Sequence, residues 1–458
     1  TMNSSWVRAV YRSPLFWILG LSFAVRVLYM SFNPPLWWDA HVYVGMGKYI
    51  FSGGEQGIWE VFRPLVYPFI LGLWWKIGFN PIIAGKAMDL IFSLVDIALV
   101  YAIASTLFNR RVAIASSILF SFTGIFLMFS GFVLTEPLAI MLSLFALYFF
   151  IQKRSLFLVG LFCGLAFLTK FPQAIFTVGI GIALLAEARL LKEKIKNIIF
   201  LTLGFCTVSL PYFIFNSLYY GDALMPLREG SLIVTTYTWL YESSWYYYII
   251  EFFGENLLYI FSLLGFYMII KERRYQERGI LVLLIIPLLL FLYFETVPRK
   301  ELRYLVTLVP MLAIVSGYGI MRVYDLCAKS AKPVLKPFAF VILCSFILIS
   351  PLPFSLHFER PPSFEVEINT LVEQYDIRGM ILTSDPAFVS FLPNRVTTLS
   401  GMEFAQAVYD WKKEEYELLF VNDCDLLCPL QNQSCLQRRD ILFAQFWMDN
   451  TEMFKKQF

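Results

Sequence analysis

Between residues 84 and 107 the chain has twenty-four residues, of which only Lys86, Asp89 and Asp96 are charged. A helix of about 20 apolar residues crosses a hydrocarbon core of about 30 Å. Comparable apolar runs recur at 14–32, 65–79, 112–130, 137–151, 155–169, 173–188, 197–216, 253–270, 279–294, 303–321 and 334–352. One aqueous core cannot hide so much apolar surface. The whole chain of 458 residues is 58% hydrophobic and 16% charged, whereas soluble domains have nearer a quarter charged residues. A polytopic helical membrane protein is therefore expected. A disordered chain, a coiled coil and a soluble nucleic-acid binder are excluded. The 46 Phe, 25 Tyr and 11 Trp include many of the amphipathic rings that settle at bilayer interfaces.

Charge divides the chain near residue 353. Residues 1–353 hold 28 Lys and Arg against 18 Asp and Glu, and residues 354–458 hold 9 against 16. The apolar runs stop at the same place, so we expect a transmembrane domain over 1–353 and an external soluble domain over 354–458. The run at 65–79 follows Pro64, is short, and carries Trp74, Trp75 and Lys76, which suits a helix lying at the interface. Treating it so leaves eleven spans. The cytoplasmic pieces then hold 18 Lys and Arg and the short external pieces 8. That bias puts the N-terminus inside and the C-terminal domain outside. The tail alternates short apolar strands, at 379–385, 396–399 and 417–421, with helical stretches near 363–375 and 402–413. An external α/β domain is expected there. The first external loop, about fifty residues, carries its own apolar helix, and long loops of this kind are usually functional.

Asp39, Arg63, Glu136, Lys170, Arg299, Lys300 and Arg303 all fall on the outer face of this arrangement. Asp39, flanked by Trp37, Trp38 and Tyr43, is a candidate general base; the plainer reading is a solvated loop carboxylate. Glu136 is either a second active-site acid or a residue complementing the dipole of the helix that begins near Pro137. Arg63 can grip a lipid phosphate or anchor the interface. Lys170 opposes the charge bias, so it is read as facing either a phosphate or a carboxylate such as Glu136. Arg299, Lys300 and Arg303 are open to phosphate binding or to pairing with Glu295 and Glu301. Lys86 and Asp89 lie three apart on one helix face, with Asp96 further along it. Intramembrane acids are functional candidates, and a transporter or flippase for a lipid-linked or anionic solute using Asp89 and Asp96 is the alternative to an enzyme.

Two histidines, His41 and His357, far apart in sequence, give no basis for a His-rich metal site. Cys163, Cys206, Cys327 and Cys344 read as core residues. Two of Cys424, Cys428 and Cys435 can form a disulfide in an external tail, and Asn432-Gln-Ser434 is a glycosylation sequon. Thr1 ahead of Met2 reads as a cloning remnant, and no cleavable signal peptide is expected.

Several motifs together resemble polyprenyl-phosphate-dependent glycosyltransferases of the GT-C superfamily, in the branch of protein O-mannosyltransferases and the lipid A aminoarabinose transferase. They are Trp38-Asp39-Ala-His41-Val-Tyr43, Phe62-Arg63-Pro-Leu-Val-Tyr67-Pro68, Leu134-Thr-Glu136-Pro-Leu, and Gly160 to Lys170. The similarity covers roughly residues 14–175, with looser echoes around Arg303 and at Thr383-Ser-Asp385-Pro386.

The resemblance implies a GT-C-like fold and inverting transfer of a sugar, mannose by the family's commonest use, from a polyprenyl (dolichyl) phosphate to an acceptor hydroxyl. Asp39 inherits the role of base. Relatives often carry Asp-Glu there, where this chain has Asp39-Ala40, and an arginine near the start of the second span, where Lys86 can stand in. Arg63, Lys86, Lys170 and Arg303, with the motif residues His41 and Tyr67, are the candidates for binding lipid phosphate or sugar, and Glu136 for a catalytic role beside Asp39. The departing phosphate gains charge that preplaced cations stabilise. No cofactor is required by this chemistry, and no motif specifies a divalent metal. The expected partners are the lipid-linked donor, a protein, glycan or lipid acceptor and membrane lipid, with no nucleic acid. The expected location is a prokaryotic plasma membrane or the endoplasmic reticulum.

Overall fold

The computed structural model describes residues 13–32, 36–187, 190–235, 243–330, 370–383, 385–398, 416–420 and 437. His357, Cys344, the run at 334–352, the helix near 402–413, most of the stretch at 363–375, the Cys424–Cys435 cluster and the sequon lie outside them, as does the side chain of Cys327.

The chain is mostly helical. In order, the elements are α1 (Pro14–Ser31), α2 (Trp38–Ser52), α3 (Val66–Lys76), α4 (Pro81–Leu107), α5 (Arg110–Ser121), α6 (Gly124–Phe129), α7 (Thr135–Ile151) and α8 (Leu156–Thr169). Then come α9 (Ala174–Ala186), α10 (Leu191–Tyr220), α11 (Met225–Thr235), α12 (Tyr247–Glu255), α13 (Phe261–Lys271), α14 (Arg278–Thr296) and α15 (Val309–Ser330). The C-terminal part supplies β1 (Ile381–Thr383), α16 (Ala387–Phe391), β2 (Val396–Thr398) and β3 (Leu418–Phe420).

Among the described residues, α1, α4, α10 and α14 are each long and apolar enough to cross a membrane. The protein is an integral membrane protein with several such spans. Two of the apolar runs break where the sequence suggested continuous helices. The run at 112–130 divides into α5 and α6: Asn109 caps the start of α5 through Arg111 N and Val112 N, and Thr123 turns its hydroxyl back to Leu119 O at 2.7 Å. The run at 253–270 bends by 119° at Asn256, whose side chain accepts from Leu258 N at 3.0 Å and so starts a new helical segment. The eleven residues of α3 span about 16 Å at 1.5 Å per residue, too short to cross a bilayer core.

The chain divides into two compact units. The first contains residues 1–35, 61–67 and 85–360. Its helices approach closely where small residues allow it, and the α8–α10 crossing shows why. A Cβ on Gly160 would fall on the carbonyl oxygen of Leu201, and one on Gly204 on that of Phe157. Lipid tails are as apolar as Leu, so membrane helices associate through such close packing rather than through the hydrophobic effect.

The second unit contains residues 36–60, 68–84 and 361–458, and so joins the first-loop helix to C-terminal elements. Among the described residues, three strands form a parallel sheet of order β2-β1-β3, with Ile381 opposite Val396 and Leu418. α16 connects β1 to β2, and Ile58 joins Ile381, Phe388, Val389, Leu392 and Val396 in one apolar cluster.

Candidate functional site

In the first unit the candidate residues gather around the turn that precedes α7. Asp89, fully buried on α4, accepts from the Tyr67 hydroxyl at 2.7 Å and from the backbone N–H groups of Val133 at 2.8 Å and Leu134 at 3.4 Å. Val133 has φ of 59°, a left-handed conformation that a β-branched residue adopts only under strain. The carboxylate of Asp89 therefore holds a strained turn in place. Two residues on, in the first turn of α7, Glu136 pairs with Lys170 at 2.8 Å, and Thr135 donates to the other Glu136 oxygen at 3.4 Å. Of the two readings of Lys170, the structure shows the carboxylate partner. Lys170 ends α8, and three residues later Gln173 accepts from Ser143 at 3.1 Å and donates to Thr307 at 3.5 Å. α7, the 171–173 turn that follows α8 and the 302–307 turn are thus linked by polar side chains.

Arg63 and Lys86 belong to this unit too. Each is half-buried and engaged with neighbours, and the Arg63 guanidinium lies over the Phe62 ring at 4.9 Å. Tyr67 is fully buried, with its hydroxyl on Asp89. Around Arg303 the charges pair locally. Lys300 meets Glu295 at 2.9 Å and also donates to the carbonyls of Phe294 and Glu295. Arg303 reaches Glu301 at 2.6 Å, and Arg299 pairs with the same carboxylate. Three cations thus share two carboxylates, which leaves one net positive charge.

In the second unit Asp39 sits in the first turn of α2, buried, two residues after Trp37, which opens the helix in extended conformation. A carboxylate there is favoured by the helix dipole. His41, one residue beyond Ala40, is buried, and its Nδ1 lies 2.6 Å from the Ser390 hydroxyl. Burial pushes the His41 imidazole down to about 4, so the ring is neutral at pH 7.

Among the described residues, three buried charged side chains carry no role in the sequence reading. Arg26 lies fully buried in α1, with Nε on the Ser130 hydroxyl at 2.9 Å, one Nη on the Ser121 carbonyl at 3.1 Å, and its charge facing that of Asp96. The signal was present, since an arginine inside an apolar run demands a partner. Glu255, buried at the end of α12, accepts from Ile125 N at 2.7 Å and so receives the start of α6. Lys48, buried on α2, donates to the carbonyls of Val389, Ser390 and Leu392. Neither Glu255 nor Lys48 was legible without knowing where the chain folds back.

Residues 62–213 match the family model described as dolichyl-phosphate-mannose-protein mannosyltransferase. Comparison with curated protein sequences gives no match. Among solved structures, ArnT from Cupriavidus metallidurans bound to undecaprenyl phosphate is similar with a TM-score of 0.65 at 12% identity, covering 88% of this chain and 89% of that one. The apo oligosaccharyltransferase of Archaeoglobus fulgidus is similar with a TM-score of 0.61 at 12% identity over 83% of this chain. The archaeal oligosaccharyltransferase AglB from Archaeoglobus fulgidus, in complex with an inhibitory peptide and a dolichol-phosphate, gives 0.59 at 13% identity. This chain spans 64% of the archaeal chain's length. The fold is the one these solved membrane proteins share.

Proposed function

We propose that this GT-C-fold membrane protein is a glycosyltransferase that moves a sugar from a polyprenyl-phosphate donor to an acceptor hydroxyl, with inversion. The observation that carries the reading is the fold's likeness, over 88% of the chain, to ArnT, which binds undecaprenyl phosphate. The family match over 62–213 supports mannose as the sugar and dolichyl or a related prenol as the carrier. AglB binds both a peptide and a dolichol-phosphate, which supports a protein or glycan acceptor here. We place transfer on the external or lumenal face, with the N-terminus cytoplasmic, on the strength of the Lys and Arg bias in the sequence.

Asp39 is the general base. It takes the proton of the acceptor hydroxyl as that oxygen attacks the anomeric carbon. The bond from that carbon to the phosphate oxygen breaks, and the polyprenyl phosphate leaves with the electron pair. Its growing charge is met by cations. Arg63, Lys86 and Arg303 are assigned to this role, and Lys170, paired to Glu136, is assigned with them. The Glu136 carboxylate fixes the Lys170 ammonium in one direction, which suits electrostatic preorganisation better than proton transfer. His41, neutral, and Tyr67, bound to Asp89, are assigned to shaping the surroundings of the donor.

The test is transfer in proteoliposomes, with radiolabelled polyprenyl-phosphate mannose and peptide, glycan and lipid acceptors, for the wild type and Asp39→Asn. Turnover in the wild type that vanishes in the variant, with donor binding retained, is expected. Surviving turnover in Asp39→Asn would remove Asp39 as base, and failure of every polyprenyl-phosphate sugar to bind would remove the enzyme reading.

A further inference from the structure

The second unit contains an arrangement that the catalytic scheme does not use. α2 is buried on all sides from Asp39 to Lys48: Gly47 lies against Gly72 and Pro68 of α3, and another face is seated on α16. Gly45 comes so near Val389 that a Cβ there would strike its side chain. At one end of α2, His41 bonds to Ser390 at 2.6 Å. At the other, the Lys48 ammonium reaches the carbonyl oxygens of Val389 at 2.8 Å, Ser390 at 3.0 Å and Leu392 at 3.2 Å. These are the carbonyls that the end of a helix leaves unpaired. Beyond α2 the chain turns back through Gly57, which donates to Asn394 O at 3.1 Å and accepts from Val396 N at 2.8 Å. Residue 57 thereby adds a parallel bridge to Arg395, at the edge of β2.

An ammonium is costly to bury, and a leucine or methionine would fill the same space. What Lys48 adds is direction. Its three N–H donors are matched by three fixed acceptors, so both the rotation and the height of α2 on α16 are set. Asp39 lies nine residues earlier on the same helix, two and a half turns or about 13 Å away. A rigid helix transmits a small rotation at Lys48 to the carboxylate of Asp39.

We propose that the segment 387–396 is the seat of the acid-bearing helix, and that Lys48 is a positioning residue for Asp39. The C-terminal segment then belongs to the catalytic apparatus rather than to a separate binding module. This rests on the reading of Asp39 as general base.

The test uses the full-length chain in proteoliposomes, with polyprenyl-phosphate mannose and the acceptor the wild type uses. Lys48→Met is expected to lower kcat at least tenfold with the donor KM within twofold, because the donor's own contacts are untouched. Amide hydrogen exchange over 387–392 is expected to accelerate in the same variant. Should Lys48→Met not fold, Lys48→Arg decides, since a planar guanidinium cannot place donors on the same three carbonyls: kcat is expected to fall with KM unchanged. Wild-type kcat in a folded Lys48 variant, beside an inactive Asp39→Asn, overturns the seat and leaves the base. A rise in KM with kcat intact overturns it equally. Wild-type turnover in Asp39→Asn overturns the base and, with it, the positioning role, whatever hydrogen exchange reports.

Discussion

Tyr67 donates its hydroxyl to Asp89 at 2.7 Å, and neither side chain reaches solvent. Asp89 also receives Val133 N and Leu134 N, so one carboxylate ties the start of α3 to the turn before α7. Removing one donor from a buried carboxylate costs about 1–3 kcal/mol. Tyr67→Phe is accordingly expected to lower the unfolding midpoint in detergent, and Asp89→Ala to lower it further by leaving three donors unpaired. Val133→Gly relieves the backbone at φ of 59° but deletes a fully buried side chain, so it is expected to destabilise less than Val133→Ala, which deletes nearly as much and keeps the strain. A Val133→Gly midpoint below that of Val133→Ala would mean that the turn stores no strain.

The pair of Glu136 and Lys170 is the second relationship open to measurement. Both side chains are largely buried, at 4% and 14% exposure. Breaking a buried pair by removing one partner leaves an uncompensated charge and costs about 3–5 kcal/mol, whereas removing both can be nearly neutral. Lys170→Met and Glu136→Gln are each expected to destabilise, and the double variant to be more stable than the sum of the two losses. Thermal midpoints of the four proteins form the cycle that checks it, and additivity would mean that the two charges do not interact.

How much of this was legible in the sequence differs by scale. The spans were visible because apolar length alone sets them, so 84–107 and 279–294 correspond to α4 and α14. The breaks were not. Asn256 restarts its helix through a bond to Leu258 N that any asparagine in an apolar run could make or forgo. Thr123 sits at its break against the hydroxyl of Tyr259, 2.6 Å away and 136 residues later, a partner that only the fold supplies. The same applies to charge. Periodicity put Asp89 near Lys86, but its partners are Tyr67 and the Val133 turn, brought together by tertiary folding. The motif residues Asp39, Glu136 and Lys170 could be singled out because each departs from an apolar background. Lys48 could not, because the carbonyls that justify it lie about 340 residues away.

Arg26 and Asp96 face one another from α1 and α4 in the apolar interior. One Arg26 nitrogen, Nη1, and both Asp96 oxygens are buried without a hydrogen-bond partner among the described residues. Arg26 is otherwise held by Ser130, the Ser121 carbonyl and the Phe126 ring, so the nearby opposite charge matters most to Asp96. Arg26→Met is expected to destabilise through the orphaned Asp96, and Asp96→Asn to restore part of the loss in the double variant. Stability in detergent checks this by the same cycle. If Arg26→Met alone matches wild type, Asp96 is neutral in the folded protein and the pair is not an ion pair.

His41 gives the pH prediction. Its folded imidazole takes up a proton only near pH 4, whereas an unfolded chain does so near 6.5. Between those values the unfolded chain binds more protons, so stability rises with pH through that window. The contribution is complete above about pH 6.5 and is lost as pH falls through 4, up to about 3 kcal/mol for a shift of this size. Other carboxylates titrate at the acid end of the range, so the quantity to read is the difference between wild type and His41→Gln, which keeps a hydrogen-bonding group for Ser390. The wild type is expected to lose more of its unfolding midpoint than His41→Gln between pH 7.5 and pH 4.5. Parallel losses would mean that His41 is protonated in the folded state at no extra cost, and that the bond to Ser390 is made by an imidazolium.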